Sequence, residues 1–400
     1  MTVAGTPARS EIRIRLFGRT DVGQIREHNE DNFLIADLTR RSRSLMEADR
    51  DQIVGERGTV MGVCDGMGGA AAGEVASQLA VDIIYEKLAQ GDPPQDHNDL
   101  ARRLVHSVEE AGVRIFNEAR ADRTRRGMGT TATVAALVDE RLFIAQVGDS
   151  RAYVLRKGKL VQVSRDQSLV NQLIEAGQLT EEEAETFEHN NIILQALGTA
   201  ETVQVDLTYV ELRRGDVVLL CSDGLSGMIR GDEIREVLTS VPDPLDACRE
   251  LTDRANRAGG HDNITVIVAR FDGPALRDVG PDDGELAYQK YALPEMPLPE
   301  PTIRMMPVNA ADISTAPPSQ EAQRESRRLR VGHTMVGLTN PLLGDAAALE
   351  AGGHGSNPSG YDPMDEPVDL PTTGLPPSLV GVMVLGAMLL VAVAGFLLLR

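Results

Sequence analysis

The sequence predicts an α+β fold over residues 12–272, then a linker over 273–377 and one membrane-crossing helix over 378–399. Three observations carry this prediction. Apolar runs with the length of buried strands recur between segments of helical period. Two of those runs stop abruptly on the same acid–glycine pair. The composition then changes sharply near Gly273.

The paired runs are Val60-Met61-Gly62-Val63-Cys64 before Asp65-Gly66, and Val217-Val218-Leu219-Leu220-Cys221 before Ser222-Asp223-Gly224. Unbroken aliphatic runs of this length suit strands covered on both faces. A carboxylate ending a buried strand is costly unless a cation meets it. The glycine behind it lets the backbone turn or approach a ligand closely. One Asp-Gly after a strand is ordinarily only a turn. Two such ends, joined by a third acid in Gly260-His261-Asp262-Asn263-Ile264, point to aspartates converging on hard cations. Oxygen donors of this kind select Mg²⁺ or Mn²⁺ over zinc.

Taken in order, Ile12-Arg13-Ile14-Arg15-Leu16 alternates as a half-exposed strand, and Phe33-Leu34-Ile35-Ala36 forms the next. Residues 37–58 are charged without a period and read as a surface loop or short helix. Helices follow over 74–89, with Val75, Leu79, Ile83 and Leu88 on one stripe, and over 99–120, burying Leu100, Leu104, Val108, Ile115 and Phe116. Strands are expected over 131–138, 142–147, 152–155 and 160–163, the last two joined by a Lys157-Gly158 hairpin. Residues 166–198 break the β rhythm. A short helix stops at Gly177, and Thr180 with Glu183 makes a capping box. This insertion reads as a flap or lid. Strands resume at 203–207 and 217–221, helices at 231–238 and 244–257, and a final buried strand at 264–269.

The net charge of −20, from 60 acids and 40 bases, argues against a nucleic-acid partner. Cys64, Cys221 and Cys248 have no metal-ligand spacing and read as core thiols of a reducing compartment. The polar first ten residues carry no apolar segment of a signal peptide. Of 21 prolines, 16 fall between Pro274 and Pro377, leaving 5 (21 − 16) before them. Such a stretch cannot support a core and reads as disordered. Residues 378–399 are uncharged and apolar; as a helix they would rise about 33 Å, enough to cross a bilayer.

The ordered motifs resemble the metal-dependent PPM family, the type 2C protein serine/threonine phosphatases. They are Arg26 with Glu30-Asp31, Val63-Cys64-Asp65-Gly66-Met67-Gly68-Gly69, Gly129-Thr130-Thr131, Val147-Gly148-Asp149-Ser150-Arg151, Leu197-Gly198-Thr199, Ser222-Asp223-Gly224 and Gly260-His261-Asp262-Asn263-Ile264-Thr265. The resemblance implies an α/β/β/α sandwich of two antiparallel sheets flanked by helices. It also implies two Mn²⁺ or Mg²⁺ ions sharing a hydroxide, held by Asp65, the Gly66 carbonyl, Asp223 and Asp262. Glu30 and Asp31 would act through metal-bound waters, and Arg26 would clamp the phosphoryl group. Asp149 matches a position that holds a third ion in many bacterial members. Many eukaryotic members have histidine where Met67 stands, and a thioether cannot donate a proton. The expected substrates are phosphoserine and phosphothreonine proteins, in opposition to Ser/Thr kinases. A pseudophosphatase on the same fold is the alternative, opposed by the intact Asp65, Asp223 and Asp262. A two-metal nuclease is opposed by the acidic charge.

In the tail, Arg327-Arg328-Leu329-Arg330 ahead of Thr334 reads as a kinase site in a linker. Leu370-Pro371-Thr372-Thr373-Gly374 resembles a cell-wall sorting signal but is read as coincidental. The expected location is the cell membrane, single-pass through the C-terminal helix, with the catalytic domain cytoplasmic. Arg400 alone votes the other way under the positive-inside rule.

Overall fold

The apolar runs are unbroken because the strands they form are covered on both sides. The computed structural model describes residues 11–43, 50–68, 72–184, 187, 191–281 and 283–294. Thr334, Gly69, most of the expected linker and the expected membrane span lie outside the described residues. Among the described residues no helix is long and apolar enough to cross a membrane.

The strands are β1 (Arg13–Asp21), β2 (Asn32–Asp37), β3 (Asp51–Ile53), β4 (Thr59–Cys64), β5 (Gly66–Met67), β6 (Gly129–Thr130) and β7 (Ala132–Val138). They continue as β8 (Arg141–Val147), β9 (Arg151–Arg156), β10 (Lys159–Gln162), β11 (Asp206–Glu211), β12 (Val217–Cys221) and β13 (Ile264–Asp272). The helices are α1 (Ala72–Ala89), α2 (His97–Ala121), α3 (Leu169–Glu175), α4 (Glu181–Ala184), α5 (Asp223–Ser226), α6 (Gly231–Ser240) and α7 (Pro244–Arg257). One sheet has the order β10-β9-β12-β13-β1-β3, the other β11-β8-β7-β4-β2, and β5 pairs with β6. Every pairing is antiparallel.

Three apolar layers result. Met61 and Val63 of β4, Leu142 and Ile144 of β8, Val218 and Leu220 of β12, and Ile267 and Ala269 of β13 meet between the sheets. Their neighbours point the other way. Val60, Cys64, Phe143 and Val147 pack beneath α1 and α2, while Leu219, Cys221, Val266 and Val268 pack beneath α6 and α7. Side chains alternate along a strand, so each run feeds two layers. The order is helix, sheet, sheet, helix, as the resemblance implies. All three cysteines are free and buried.

Four expectations need correction. Residues 37–58 contain β3, which pairs with β1 at Arg13↔Ile53; three residues are too few to show a period in sequence. The β11 ladder starts at Asp206, not at 203, because Val203 and Val205 already pack against the core from irregular backbone. The most buried face of α1 is Ala76, Ala80, Val81 and Ile84, small residues that lie close to the sheet, whereas Val75, Leu79 and Ile83 are only partly buried. The chain also stays on the domain beyond Gly273: Leu276 is buried, and Leu286, Tyr291 and Leu293 pack against the cores.

Candidate active site

The same end of both sheets carries the acids. β4 and β12 finish there and β2, β9 and β13 begin there, as the pairs Asn32↔Cys64, Cys221↔Arg151 and Cys221↔Val266 require. Asp65 leaves β4 with its backbone gripped on both sides. Its N–H donates to Thr131 Oγ1 at 2.9 Å, and its carbonyl accepts from Thr131 N and from Thr130 Oγ1, both at 2.8 Å. A Cβ on Gly66 would lie 2.4 Å from the carbonyl oxygens of both Glu30 and Gly73. Only glycine lets three backbone segments meet there.

From the other sheet, Ser222 follows β12 and donates its Oγ proton to Asp31 Oδ2 at 2.8 Å, across the sheet interface. Asp223 opens α5. Asp262 lies in the loop before β13, and Asn263 beside it organises the Arg26 loop. Asn263 Nδ2 donates to the carbonyls of Val22 and His28, each at 2.9 Å, and its Oδ1 accepts from Glu30 N at 2.8 Å. Arg26 Nη2 donates to Asp262 Oδ2 at 2.7 Å. Arg26 is 53% exposed, so it can turn outward without unpacking anything.

The cluster is electrostatically unfavourable as it stands. Burial pushes Asp31 up to about 7, and the charges of Asp223 and Asp262 add to the effect. Asp149 is pushed up to about 7 by burial, then by Asp223 and Asp166. Asp65 lies well above the carboxylate range through burial and the charges of Asp31, Asp223 and Asp149. Burial raises Asp223 and Glu30 as well. Asp65 and Asp223 therefore stand close enough for each carboxyl to disfavour ionisation of its neighbours.

These residues fit divalent cations. Asp31 Oδ1, Asp149 Oδ1 and Asp223 Oδ1 are buried and lack any hydrogen-bond partner. Buried carboxylate oxygens are stable in numbers only when paired or ligating. Among the described residues, no group of three or more Asp, Glu, His or Cys side chains is ready to hold an ion.

The structure thus brings together Asp65 with Asp223, Asp31 with Ser222, and Arg26 with Asp262. Asp149 joins through its charge, and its neighbour Ser150 bonds Thr131 Oγ1 at 2.8 Å. Glu30 enters mainly by its backbone: its carbonyl accepts from Ser77 Oγ at 2.5 Å. Sequence reasoning gave no role to Thr131, Ser222 or Asn263. Their only signal was a short polar side chain inside each acidic motif.

Residues 40–260 match the family model for protein phosphatase 2C. The chain belongs to the protein phosphatase 2C family. Within it, the chain is 40% identical to the protein phosphatase PhpP of Streptococcus pneumoniae over 250 residues, covering 62% of this chain and 94% of PhpP. It is 38% identical to the serine/threonine protein phosphatase PstP of Mycobacterium tuberculosis over 230 residues, covering 58% of this chain but only 44% of PstP. A crystal structure of the PstP catalytic domain in complex with two manganese ions superimposes with a TM-score of 0.55 at 34% identity, covering 65% of this chain and 99% of that one.

Proposed function

We propose that this protein phosphatase 2C member is a metal-dependent protein serine/threonine phosphatase that hydrolyses phosphoserine and phosphothreonine and opposes Ser/Thr kinases. The observation that carries this reading is the set of partnerless buried carboxylate oxygens on Asp31, Asp149 and Asp223, whose charges all act on the buried Asp65. Asp65, Asp223, Asp262 and the Gly66 carbonyl would hold two Mn²⁺ or Mg²⁺ ions, with Glu30 and Asp31 ordering the water around them and Asp149 holding a third. Bound there, the ions supply Lewis acidity: they neutralise phosphoryl charge and lower the pKa of water.

The chain's own groups do the rest. Arg26 exchanges Asp262 for two phosphoryl oxygens, which its forked donors match. Ser222 holds Asp31 in place by a hydrogen bond and is itself held by the Thr265 N–H. Asn263 fixes the loop from which Arg26 reaches. Met67 cannot donate a proton, so the departing serine or threonine oxygen takes one from water.

The test is turnover of a phosphothreonine peptide by the full chain after EDTA treatment, with and without restored Mn²⁺. Activity should appear only with the metal. A chain that binds Mn²⁺ by calorimetry yet leaves the peptide intact would be the pseudophosphatase instead.

We also propose that residues 378–399 tether the enzyme to the cell membrane with its catalytic domain in the cytoplasm. The uncharged apolar run supports the first part. Three free, buried thiols suit a reducing compartment and support the second. Deleting residues 374–400 should move the enzyme from the membrane to the soluble fraction with unchanged peptide kinetics. Digestion of the catalytic domain by protease added to intact spheroplasts would reverse the orientation.

A further inference from the structure

Beyond β13 the chain forms a strap that the family match does not include. Arg214 N donates to the Arg277 carbonyl at 2.9 Å. Asp283 accepts from Arg213 Nε and Nη2 at 3.1 and 2.8 Å, which holds its carboxyl below the usual range. Residues 288–291 then run antiparallel to β11, an edge of the five-stranded sheet. Tyr209 N donates to the Gln289 carbonyl at 3.2 Å and Tyr291 N to the Leu207 carbonyl at 2.8 Å, with Thr208 opposite Lys290. An open strand edge is thereby covered. The Tyr291 ring stands edge-on to Phe143 and Tyr209, with centroids 4.9 and 5.2 Å away. Its hydroxyl donates to Asn98 Oδ1 at 2.6 Å. Burying a tyrosine with its hydroxyl satisfied makes a firm anchor.

Two strap residues converge on one acid. Tyr288 OH donates to Asp206 Oδ2 at 2.7 Å, and Lys290 Nζ lies 3.5 Å from Asp206 Oδ1. Asp206 heads β11, directly after the connector that returns from the flap. The Gln204 carbonyl in that connector accepts from Gln167 Nε2 at 3.2 Å. Gln167 sits at the flap's base and is laced to the turn before Asp149: its N–H donates to the Gly148 carbonyl at 2.9 Å, and its Oε1 accepts from Gly148 N at 3.0 Å. A cavity of about 330 Å³ opens among these groups, with Asp166, Asn171, Glu175, Gln195, Asp206 and Lys290 in its wall.

The charges of that wall cancel. Glu175 is taken by Arg165, Asp166 by Arg151 at 2.7 Å and Asp206 by Lys290. A neutral, amide-lined cavity does not suit a free anion or a metal ion. It suits the polar main chain of an extended polypeptide. We propose that Tyr288 and Lys290 are positioning residues for phosphoprotein recognition: by fixing and neutralising Asp206, they hold the wall against which the polypeptide flanking the phosphoresidue binds. This rests on the phosphatase reading above. Removing Lys290 leaves Asp206 uncompensated at the wall, so peptides with basic flanks gain over those with acidic flanks.

The experiment uses the full chain with Mn²⁺, as wild type and as Tyr288→Phe, Lys290→Ala and Lys290→Arg. Substrates are phosphothreonine peptides with acidic or basic flanks, and p-nitrophenyl phosphate, which has no flanks. Tyr288→Phe should raise peptide KM with kcat held, lowering the ratio of peptide to p-nitrophenyl phosphate efficiency. Lys290→Ala should shift the basic-to-acidic preference about fivefold, the size of one partly exposed charge pair, and Lys290→Arg should restore it. Hydrogen exchange should quicken at residues 204–206 in Tyr288→Phe. The proposal is overturned if both substrate classes change in step, or if neither changes. A wild type inactive on both classes would instead defeat the phosphatase reading.

Discussion

Asp65→Ala is expected to reduce turnover of a phosphothreonine peptide by about a thousandfold or more while the domain stays folded. The first half follows from position. Asp65 lies within reach of the charges of Asp31 and Asp223, which come from opposite sheets, so it stands where it can serve ions held from either side. Losing it forfeits several kcal/mol of transition-state charge stabilisation, and each 1.36 kcal/mol is about a factor of ten in rate. The second half follows from linkage. Asp31 and Asp149 have native values pushed up to about 7, above the unfolded value. The metal-free fold therefore binds protons that the unfolded chain has released, and its stability falls as pH rises from about 4 to about 7. Taking away one acid relieves this, so in EDTA near neutral pH the variant should melt no lower than wild type. Peptide kinetics with Mn²⁺ check the first half, and melting temperature in EDTA checks the second. A variant keeping a tenth of wild-type turnover would sink the two-metal assignment.

Gly224→Ala is expected to be nearly as damaging, although it adds one methyl and removes no ligand. A Cβ at Gly224 would lie 2.0 Å from the Asn263 carbonyl oxygen, far inside contact distance. The oxygen cannot yield cheaply, because the Asn263 side chain is tied to Glu30, Val22 and His28. Either α5 moves, carrying Asp223, or the loop moves, carrying Asp262. Overpacking of this kind costs about 1–3 kcal/mol, and a displacement of about 1 Å at reacting groups costs about a hundredfold in rate. Gly231→Ala is the control, since nothing lies within 4 Å of its added Cβ. Peptide kcat and melting temperature are the measurements. A Gly224→Ala enzyme with full kcat would mean that the Asp223–Asp262 spacing is not critical.

Much of this was legible in the chain itself. The runs ending at Cys64 and Cys221 mark strands covered on both faces, and the acids after them mark the site, because burial and charge conflict there without a cation. The packing of those acids was not legible. Asn263 reaches Glu30 over 233 residues, and Ser222 reaches Asp31 over 191. No local period encodes such contacts. The strap escaped notice for another reason. Its prolines and acids resemble a linker, and its order comes from Tyr288, Tyr291 and Asp283 meeting partners far back in the sequence. Composition reports whether a segment can build a core alone, not whether it can borrow one.

The two sheets meet the site like the jaws of a calliper. Asp31 and Asp65 ride on one jaw, Asp223 and Asp262 on the other, and the layer between the jaws is Met61, Val63, Leu220, Ile267 and their neighbours. Protein interiors are packed too densely for one sheet to slide on the other without repacking that layer. The gap between the acids of the two jaws therefore depends on aliphatic volume deep in the molecule as well as on the loops that carry them. On the phosphatase reading, core thickness and turnover are linked: a methylene lost between the sheets would change the calliper's setting as well as the packing.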